Sequence, residues 1–471
     1  MGEEFRHKII IDPVHGDVGL SKLETELIDT PTFQRLRRIK QLGFAYTVYP
    51  NARHSRFEHS LGVMHIMSRI LETFRSQDEG SVSEDDFRKL RIAALLHDIG
   101  HYPYSHLTEK IDWDSAQKYI SKKGEPEEEE TSTPKKYPKH DKLGEIVITE
   151  RKDIKEKLEK NNIDPQDIAA LVGGQHQAIP NLLNASLDVD RLDYLVRDSL
   201  NTGLPYGKID INYIVNNLEL TNKMEIVVRA KARSSIEHML MGRYFMFNTV
   251  YMHKTVFAFE EIIRKIVLML WEKEKIYKSG DEIEAIARAD SDDFLAFDDR
   301  YLDKLIDEFA NDGRDLNLAA LCKAVKLRKP PKLVCEISEL AREEDNPTEE
   351  YTVLRRNWNT KVKEFSEDKE IEIPVERWIF RDIKGPEFEK LHPFMSLAEA
   401  REFMESGSLE LRELVKVKER SGTITNLVED KRSVLHYVSR LKPKLCRVYV
   451  LGIDDAKADL IREKIKKWLK P

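Results

Sequence analysis

Between Leu95 and His106 the chain reads Leu-Leu-His-Asp-Ile-Gly-His-Tyr-Pro-Tyr-Ser-His, so three histidines and an aspartate crowd the end of an apolar run. Burying imidazoles beside a carboxylate is costly unless they bind a metal or pair with one another, and the segment reads as a ligand-bearing helix terminus. The dipeptide His97-Asp98 is its centre. Alone it means little, since a chain with 14 histidines is expected to hold one such pair by accident, and His140-Asp141 is a second. Two other stretches add weight. His59 sits in the first turn of an amphipathic helix marked by Phe57, Leu61, Met64, Met67, Leu71 and Phe74, and Asp190 opens a helical pattern from Asp188 to Asp198. His59 by itself reads as an ordinary hydrogen-bonded histidine, and the 188–198 stretch as a salt-bridged surface helix, with Leu192, Leu195 and Val196 on one face and Asp190, Tyr194, Arg197 and Asp198 on the other. Together, His59, His97, Asp98 and Asp190 are a mixed nitrogen and oxygen set that suits Mn, Fe or Mg, with Zn as a further option, and leaves positions open for water. With no thiolate in the set, a catalytic metal is expected. Such a metal lowers the pKa of water from 15.7 to about 7 and so supplies a nucleophile near neutral pH.

The elements that must position these residues follow from periodicity and punctuation. Lys8 to Leu20, broken by Asp12-Pro13 and Gly16, predicts a hairpin; helices follow over Ser21 to Ile28 and from a Thr30-Pro31 cap through Phe33, Leu36 and Ile39 to Leu42. Ser83 caps a helix through Leu95 that places His97 and Asp98 in its last turn. The Lys- and Glu-rich stretch 121–139 predicts a mobile insertion, beyond which His140 can return to the same pocket. A strand over Lys223 to Ala230 precedes a long helix or kinked pair from Ser234 to Leu270, carrying Arg243 and Tyr251. After Lys329-Pro330-Pro331 strands are expected at Leu333 to Ile337, Glu370 to Phe380, Leu414 to Lys418 and Arg447 to Gly452, then a helix over Ala456 to Leu469. The fold class is thus mainly α: a helical domain over 1–330 and a smaller α+β lobe over 331–471 for regulation or oligomerisation.

Composition narrows the function classes. Of 471 residues 41% are hydrophobic and 34% charged, as in globular proteins, and 77 basic against 84 acidic side chains give a net charge of -7, which makes nucleic acid an unlikely main partner. Cys322, Cys335 and Cys446 are scattered without CxxC spacing, arguing against a zinc knuckle or disulfide framework. No run approaches the ~18 apolar residues of a membrane span and the first residues form no signal sequence, so a cytoplasmic location with no membrane contact is expected.

The order His, His-Asp, Asp resembles the HD-domain phosphohydrolases. The stretches Asp12-Pro13-Val14-His15-Gly16, Ile28 to Arg37, Arg56-Phe57-Glu58-His59-Ser60-Leu61-Gly62 and Asp188 to Asp198 are similar to the dNTP triphosphohydrolase branch, nearest its SAM-and-HD-domain members, with no SAM domain expected in this chain. The likeness is specific over residues 8 to 260 and fainter beyond. It implies an HD-type helical core with metal ligands His59, His97, Asp98 and Asp190, and catalytic His101, His106 and His140. It also implies phosphate contacts from Arg56 and Arg191, a sugar 3'-hydroxyl read by Gln41 and Asp198, exclusion of a 2'-hydroxyl by Leu42 and Tyr194, and Arg243 and Tyr251 toward the base. The types are apt, for guanidinium forks suit phosphate oxygens and an unpaired buried hydroxyl is penalised. A nucleotide effector, GTP or a dNTP, would be held by Lys8, Asp29, Gln34, Arg37, Arg229 and Lys231 between subunits of a homo-oligomer, a tetramer being favoured. Two departures stand out: Met252 where the family has glutamine and Ile11 where it has asparagine.

The implied reaction is dNTP plus water to deoxynucleoside plus triphosphate. Attack at the α-phosphorus expels a 5'-alkoxide that needs a proton, for which His106 is the first and His101 the second choice of general acid. The rival readings are another HD-type nucleotidase or phosphodiesterase, lacking the sugar-reading set, and a non-catalytic nucleotide sensor.

Overall fold

Ile9 to Ile11 run into Asp12-Pro13 and a glycine turn, and there the chain forms a hairpin. Strand β1 (Lys8–Asp12) pairs antiparallel with β2 (Gly16–Leu20), with Asp12 opposite Gly16, whose φ of 72° takes the left-handed conformation. The computed structural model describes residues 7–109, 137–174, 182–183, 187–277, 279–342, 345–383, 415–438 and 441–470.

The helices begin where the caps predict. Ser21 closes a reciprocal capping box with Glu24 over α1 (Lys22–Ile28), and Thr30 caps α2 (Pro31–Gln34) with proline in its first turn. The helix expected to run to Leu42 stops at Arg38 in a single 3-10 turn. Tertiary pairing wins there: Ile39 is extended, Arg56 N donates to Ile39 O at 3.0 Å, Gln41 N to His54 O at 3.0 Å, and Lys40 N to Asp299 at 3.1 Å. Ser55 and Glu58 make the capping box of α3 (Arg56–Gln77), and Ser83 caps α4 (Glu84–Leu96), which ends at Leu96 so that His97 and Asp98 follow it. Helix α5 (His106–Glu109), α6 (His140–Glu150) and α7 (Val189–Thr202), capped by Asp188, complete the set around the site. The expected kinked pair is α8 (Arg233–Met246) and α9 (Lys254–Glu272), joined by a π-type turn over Phe247–Tyr251.

Helix α3 lies between α4 and α7, and its buried side chains Phe57, Leu61, Val63, Met64, Ile66, Met67, Ile70, Leu71 and Phe74 enter one large core with Leu95, Leu96, Leu192 and Leu195. Apolar burial at about 25 cal/mol per Å2 is what holds these helices together. Glycine permits the closest approach. A Cβ on Gly62 of α3 would stand 1.8 Å from Asp193 Oδ1 of α7, and one on Gly100 would stand 2.3 Å from both Gly144 N and His140 O.

A second core joins Trp358, Trp378, Phe365, Cys446, Val448 and Ile461, on α10 (Glu349–Glu367), α11 (Asp455–Leu469) and a sheet ordered β3-β5-β4, where β3 is Lys332–Arg342, β4 Trp378–Ile383 and β5 Leu441–Val450. The strand expected over Glu370 to Phe380 is thus confined to its last residues, since Ile371 and Glu372 close a turn on Asp368 O and Val375–Arg377 form a 3-10 turn. Residues 415–438 pack elsewhere. Val417, Leu427 and Leu435 enter the first core, and Val417 pairs in parallel with Val228 of the strand Ile226–Arg229. Of the expected insertion, residues 121–136 lie outside the described residues, whereas Tyr137 is buried, stacked 5.9 Å from Tyr102 and bonded through its hydroxyl to Tyr277 O.

Candidate metal centre and substrate pocket

The four residues expected to hold a metal come together from three helical segments. His59, His97 and Asp98 each place a ligand atom within 4.8 Å of the others, and Asp190 Oδ1 lies 2.8 Å from His59 Nε2. The unused ring nitrogens are already tied. His59 Nδ1 bonds Asp193 Oδ2 at 2.7 Å and His97 Nδ1 bonds Ala94 O at 2.9 Å. Both Nε2 atoms are buried without a hydrogen-bond partner: the carboxylates near them are off the donor direction. That is the arrangement a metal requires, with one nitrogen fixed by an outer acceptor and the other presenting its lone pair. The donor set therefore fits a divalent cation.

Electrostatics agree with a site built for positive charge. Burial pulls His59 down, but the carboxylates of Asp190 and Asp193 outweigh it and raise the imidazole to about 10. Burial pushes Asp98 up, yet Arg56, His97 and His101 hold it well below the usual carboxylate range. Asp190, likewise opposed by burial, is lowered by His59.

Beside the cluster stand the catalytic candidates. His101 Nε2 is 3.0 Å from Asp98 Oδ1, and its ring stacks on His140 with centroids 4.1 Å apart. Burial, then Arg56 and His140, lower His101 well below its ordinary value, so the imidazole is neutral. For His140 burial acts downward, but Asp141 at 2.9 Å and Glu109 at 3.1 Å raise it to about 9. His106 is the first residue of α5, and its side chain lies outside the described residues.

The substrate candidates surround a second buried acid. Asp198 accepts from His54 Nε2 at 2.8 Å and from the Tyr251 hydroxyl at 2.5 Å. Burial raises the hydroxyls of both Tyr194 and Tyr251, and Arg243 opposes it at each, so Arg243 lies near both rings. Arg243 is buried with its Nε unpartnered, and Gln41 Oε1 is a buried acceptor without a donor. Leu42 packs against the core at the start of the turn Gly43–Thr47. Arg56 is turned to Asp98 at 2.6 Å and to Ser105 at 2.8 Å, and Arg191 to Asp188 at 3.4 Å. Met252 is buried, its carbonyl accepting from Arg447.

The residues expected to bind an effector form two groups. Lys8 pairs with Asp29 at 3.6 Å, while Gln34 accepts from Arg37, which lies over the Phe57 ring. Arg229 pairs with Glu219, and Lys231 is exposed. Among the described residues no hydrogen bond or ion pair links one group to the other within the chain.

Several residues of the centre carried no role in the sequence reading. Asp193, Arg197, Asp12, His15 and His54 are all engaged in the network, as are Glu109 and Asp141. The 188–198 helix is not a surface helix with one polar face, since Asp193, Arg197 and Asp198 are buried. A signal existed for part of this: Asp193 and Arg197 stand four residues apart, but that spacing alone predicts an ordinary surface pair.

Residues 56–198 match the HD domain and residues 209–319 the HD associated region. An uncharacterized protein of Methanocaldococcus jannaschii is 34% identical over 304 residues, 64% of this chain and 57% of that protein. The human deoxynucleoside triphosphate triphosphohydrolase SAMHD1 is 28% identical over 390 residues, 77% of this chain and 59% of its own length. This chain spans little more than half the length of the curated relatives it matches. A crystal structure of a phosphohydrolase from Bacteroides thetaiotaomicron shares the fold, with a TM-score of 0.67 at 22% identity, covering 95% of this chain and all of that one. Among the described residues no helix is long and apolar enough to cross a membrane.

Proposed function

Because the chain belongs to the HD-domain phosphohydrolases, with SAMHD1 dNTP triphosphohydrolases among its relatives, we propose that it hydrolyses a dNTP to deoxynucleoside and inorganic triphosphate. The observation that carries the reading is the buried Asp198, held between His54 and Tyr251 near Tyr194 and Arg243, about two turns beyond Asp190 on the same helix. A carboxylate there accepts a sugar hydroxyl, and Gln41, whose backbone N donates to His54 O, brings a side-chain acceptor to the same wall. Leu42 and Tyr194 supply the apolar surface against which a 2'-hydroxyl would lose its water partners, at about 1–3 kcal/mol.

His59, His97, Asp98 and Asp190 would hold Mn, Fe, Mg or Zn, and the bound cation supplies Lewis acidity toward phosphate and water. The protein's own groups do the rest. Arg56, fixed by Asp98 and Ser105, offers its remaining guanidinium edge to phosphate oxygens, and Arg191 adds a second positive charge. The stacked His101 and His140, with Glu109 and Asp141 behind them, form the proton relay toward the departing 5'-oxygen; His106 opens the adjoining helix. Buried Arg243, short of a partner, is a donor for the base.

Regulation by GTP or a dNTP fits the exposed Lys8, Asp29 and Arg37, which are free to trade their weak surface partners for a nucleotide. As no hydrogen bond or ion pair among the described residues links the second group, Arg229 and Lys231, to the first, the effector would bridge two subunits of a homo-oligomer. The test is reconstitution. Metal-stripped protein should be inactive toward dNTPs, and one of Mn, Fe or Mg should restore turnover; full activity in metal-free protein by elemental analysis overturns the reading.

A further inference from the structure

The carboxylate of Asp193 is saturated. Its Oδ1 accepts from His15 Nε2 at 2.6 Å and Arg197 Nη2 at 2.8 Å; its Oδ2 accepts from His59 Nδ1 at 2.7 Å and Arg197 Nε at 2.8 Å. With two donors on each oxygen it cannot rotate without breaking bonds, and the direction of His59 Nε2 is set by it. Arg197 is fixed in turn by Asp12, with Nη1 2.8 Å from Oδ2 and Nη2 3.3 Å from Oδ1. Asp12 Oδ1 also accepts from Val14 N and His15 N, each at 2.9 Å, closing the hairpin turn. His15 is pinned from its other side by His65, 5.2 Å away ring to ring. Gly62 leaves no room for displacement, as a Cβ there would stand 1.8 Å from Asp193 Oδ1.

From these contacts we infer that the turn of the N-terminal hairpin is an outer brace of the metal centre, in which His15 and Asp12 are positioning residues that act through Asp193 and Arg197 on His59. The inference rests on the reading of His59 as a metal ligand. It assigns a task to residues far from the metal in sequence, and it distinguishes the turn from the exposed strand that leads to it, where Ile11 is 82% exposed. Outer partners of metal-bound histidines fix ring orientation, and their loss lowers metal affinity about 10- to 100-fold.

Titration of the metal-stripped full chain with Mn, followed by calorimetry, tests it. His15→Phe keeps a ring against His65 but donates nothing, and should weaken Mn binding about 10- to 100-fold. His15→Gln restores a donor and should recover most of that loss, while Ile11→Ser should bind Mn as the wild type does. Should His15→Phe fail to fold, Asp12→Asn, which weakens the hold on Arg197 at constant shape, should still reduce Mn affinity. Wild-type Mn affinity in His15→Phe or, failing that, in Asp12→Asn overturns the brace, and so does His15→Gln binding as weakly as His15→Phe. Wild-type protein that takes up no metal overturns both this inference and the metal centre; Mn binding that responds as expected in a protein inert toward dNTPs removes only the substrate assignment.

Discussion

Arg197→Met removes one cation from between two buried acids, and its cost can be worked from the contacts. Arg197 gives two bonds of 2.8 Å to Asp193 and bonds of 2.8 and 3.3 Å to Asp12, with the three side chains at most 2% exposed. Breaking a buried pair from one side costs about 3–5 kcal/mol, because the remaining charge has no partner. For a domain of roughly 330 residues, at about 2.1 cal/mol/K per residue, each kcal/mol moves Tm by about 1.4 °C, so a fall of about 4–7 °C is expected. Neutralising the stranded acids should reverse it: Asp12→Asn and Asp193→Asn added to Arg197→Met should regain at least half of the lost Tm, since apolar or neutral replacement of a whole buried ion set is tolerated far better than its disruption. Thermal unfolding of the metal-free single and triple variants by circular dichroism measures both. A single variant within about 1 kcal/mol of wild type, or a triple variant less stable than the single, would refute the reasoning.

Other consequences are as direct. His59 and His140 are raised to about 10 and about 9, so their contribution to stability is complete below the unfolded value of about 6.5 and is lost as pH rises through the folded values; metal-free protein should lose Tm between pH 7 and 9, less so in His140→Ala, and a Tm that climbs over that window contradicts it. Asp190→Ala should abolish turnover and metal content while leaving the far-UV spectrum unchanged, because that carboxylate is 35% exposed at the mouth of the cluster; an unchanged rate with intact metal content counts against it. Gly100→Ala would drive a Cβ to 2.3 Å from the backbone of His140 and Gly144, and should cost at least about 1–3 kcal/mol in denaturant unfolding. If the effector reading holds, activity rises more steeply than linearly with dNTP and Arg37→Ala flattens the response, whereas hyperbolic kinetics with an assembly state blind to nucleotide in sedimentation exclude it.

Local signals located most of the helices, since caps such as Ser21, Ser55, Ser83 and Asp188 act within a few residues. The chain beyond Arg38 shows where local reading stops: Ile39 continues a helical apolar pattern, yet its backbone is claimed by Arg56, which is distant in sequence. The gathering of His59, His97, Asp98 and Asp190 was legible because these residues are of unusual type for a core. Its support was not. Asp193, Arg197, His15 and Asp12 look like surface polar residues one by one, and only the approach of α3 to α7 at Gly62, together with the hairpin turn, buries them against each other. Likewise His54 and Glu109 gain meaning only from Asp198 and His140, contacts that no spacing along the chain announces. Segment 415–438 sits on the first core because a parallel strand pairing joins Val417 to Val228, distant in sequence.

The substrate assignment meets its most direct test in the products. Metal-loaded protein incubated with a panel of dNTPs, NTPs and monophosphates, resolved by chromatography and phosphorus NMR, should release deoxynucleoside and intact triphosphate from dNTPs and leave ribonucleotides and monophosphates unchanged. Release of orthophosphate or pyrophosphate instead, or hydrolysis of monophosphates alone, would contradict it.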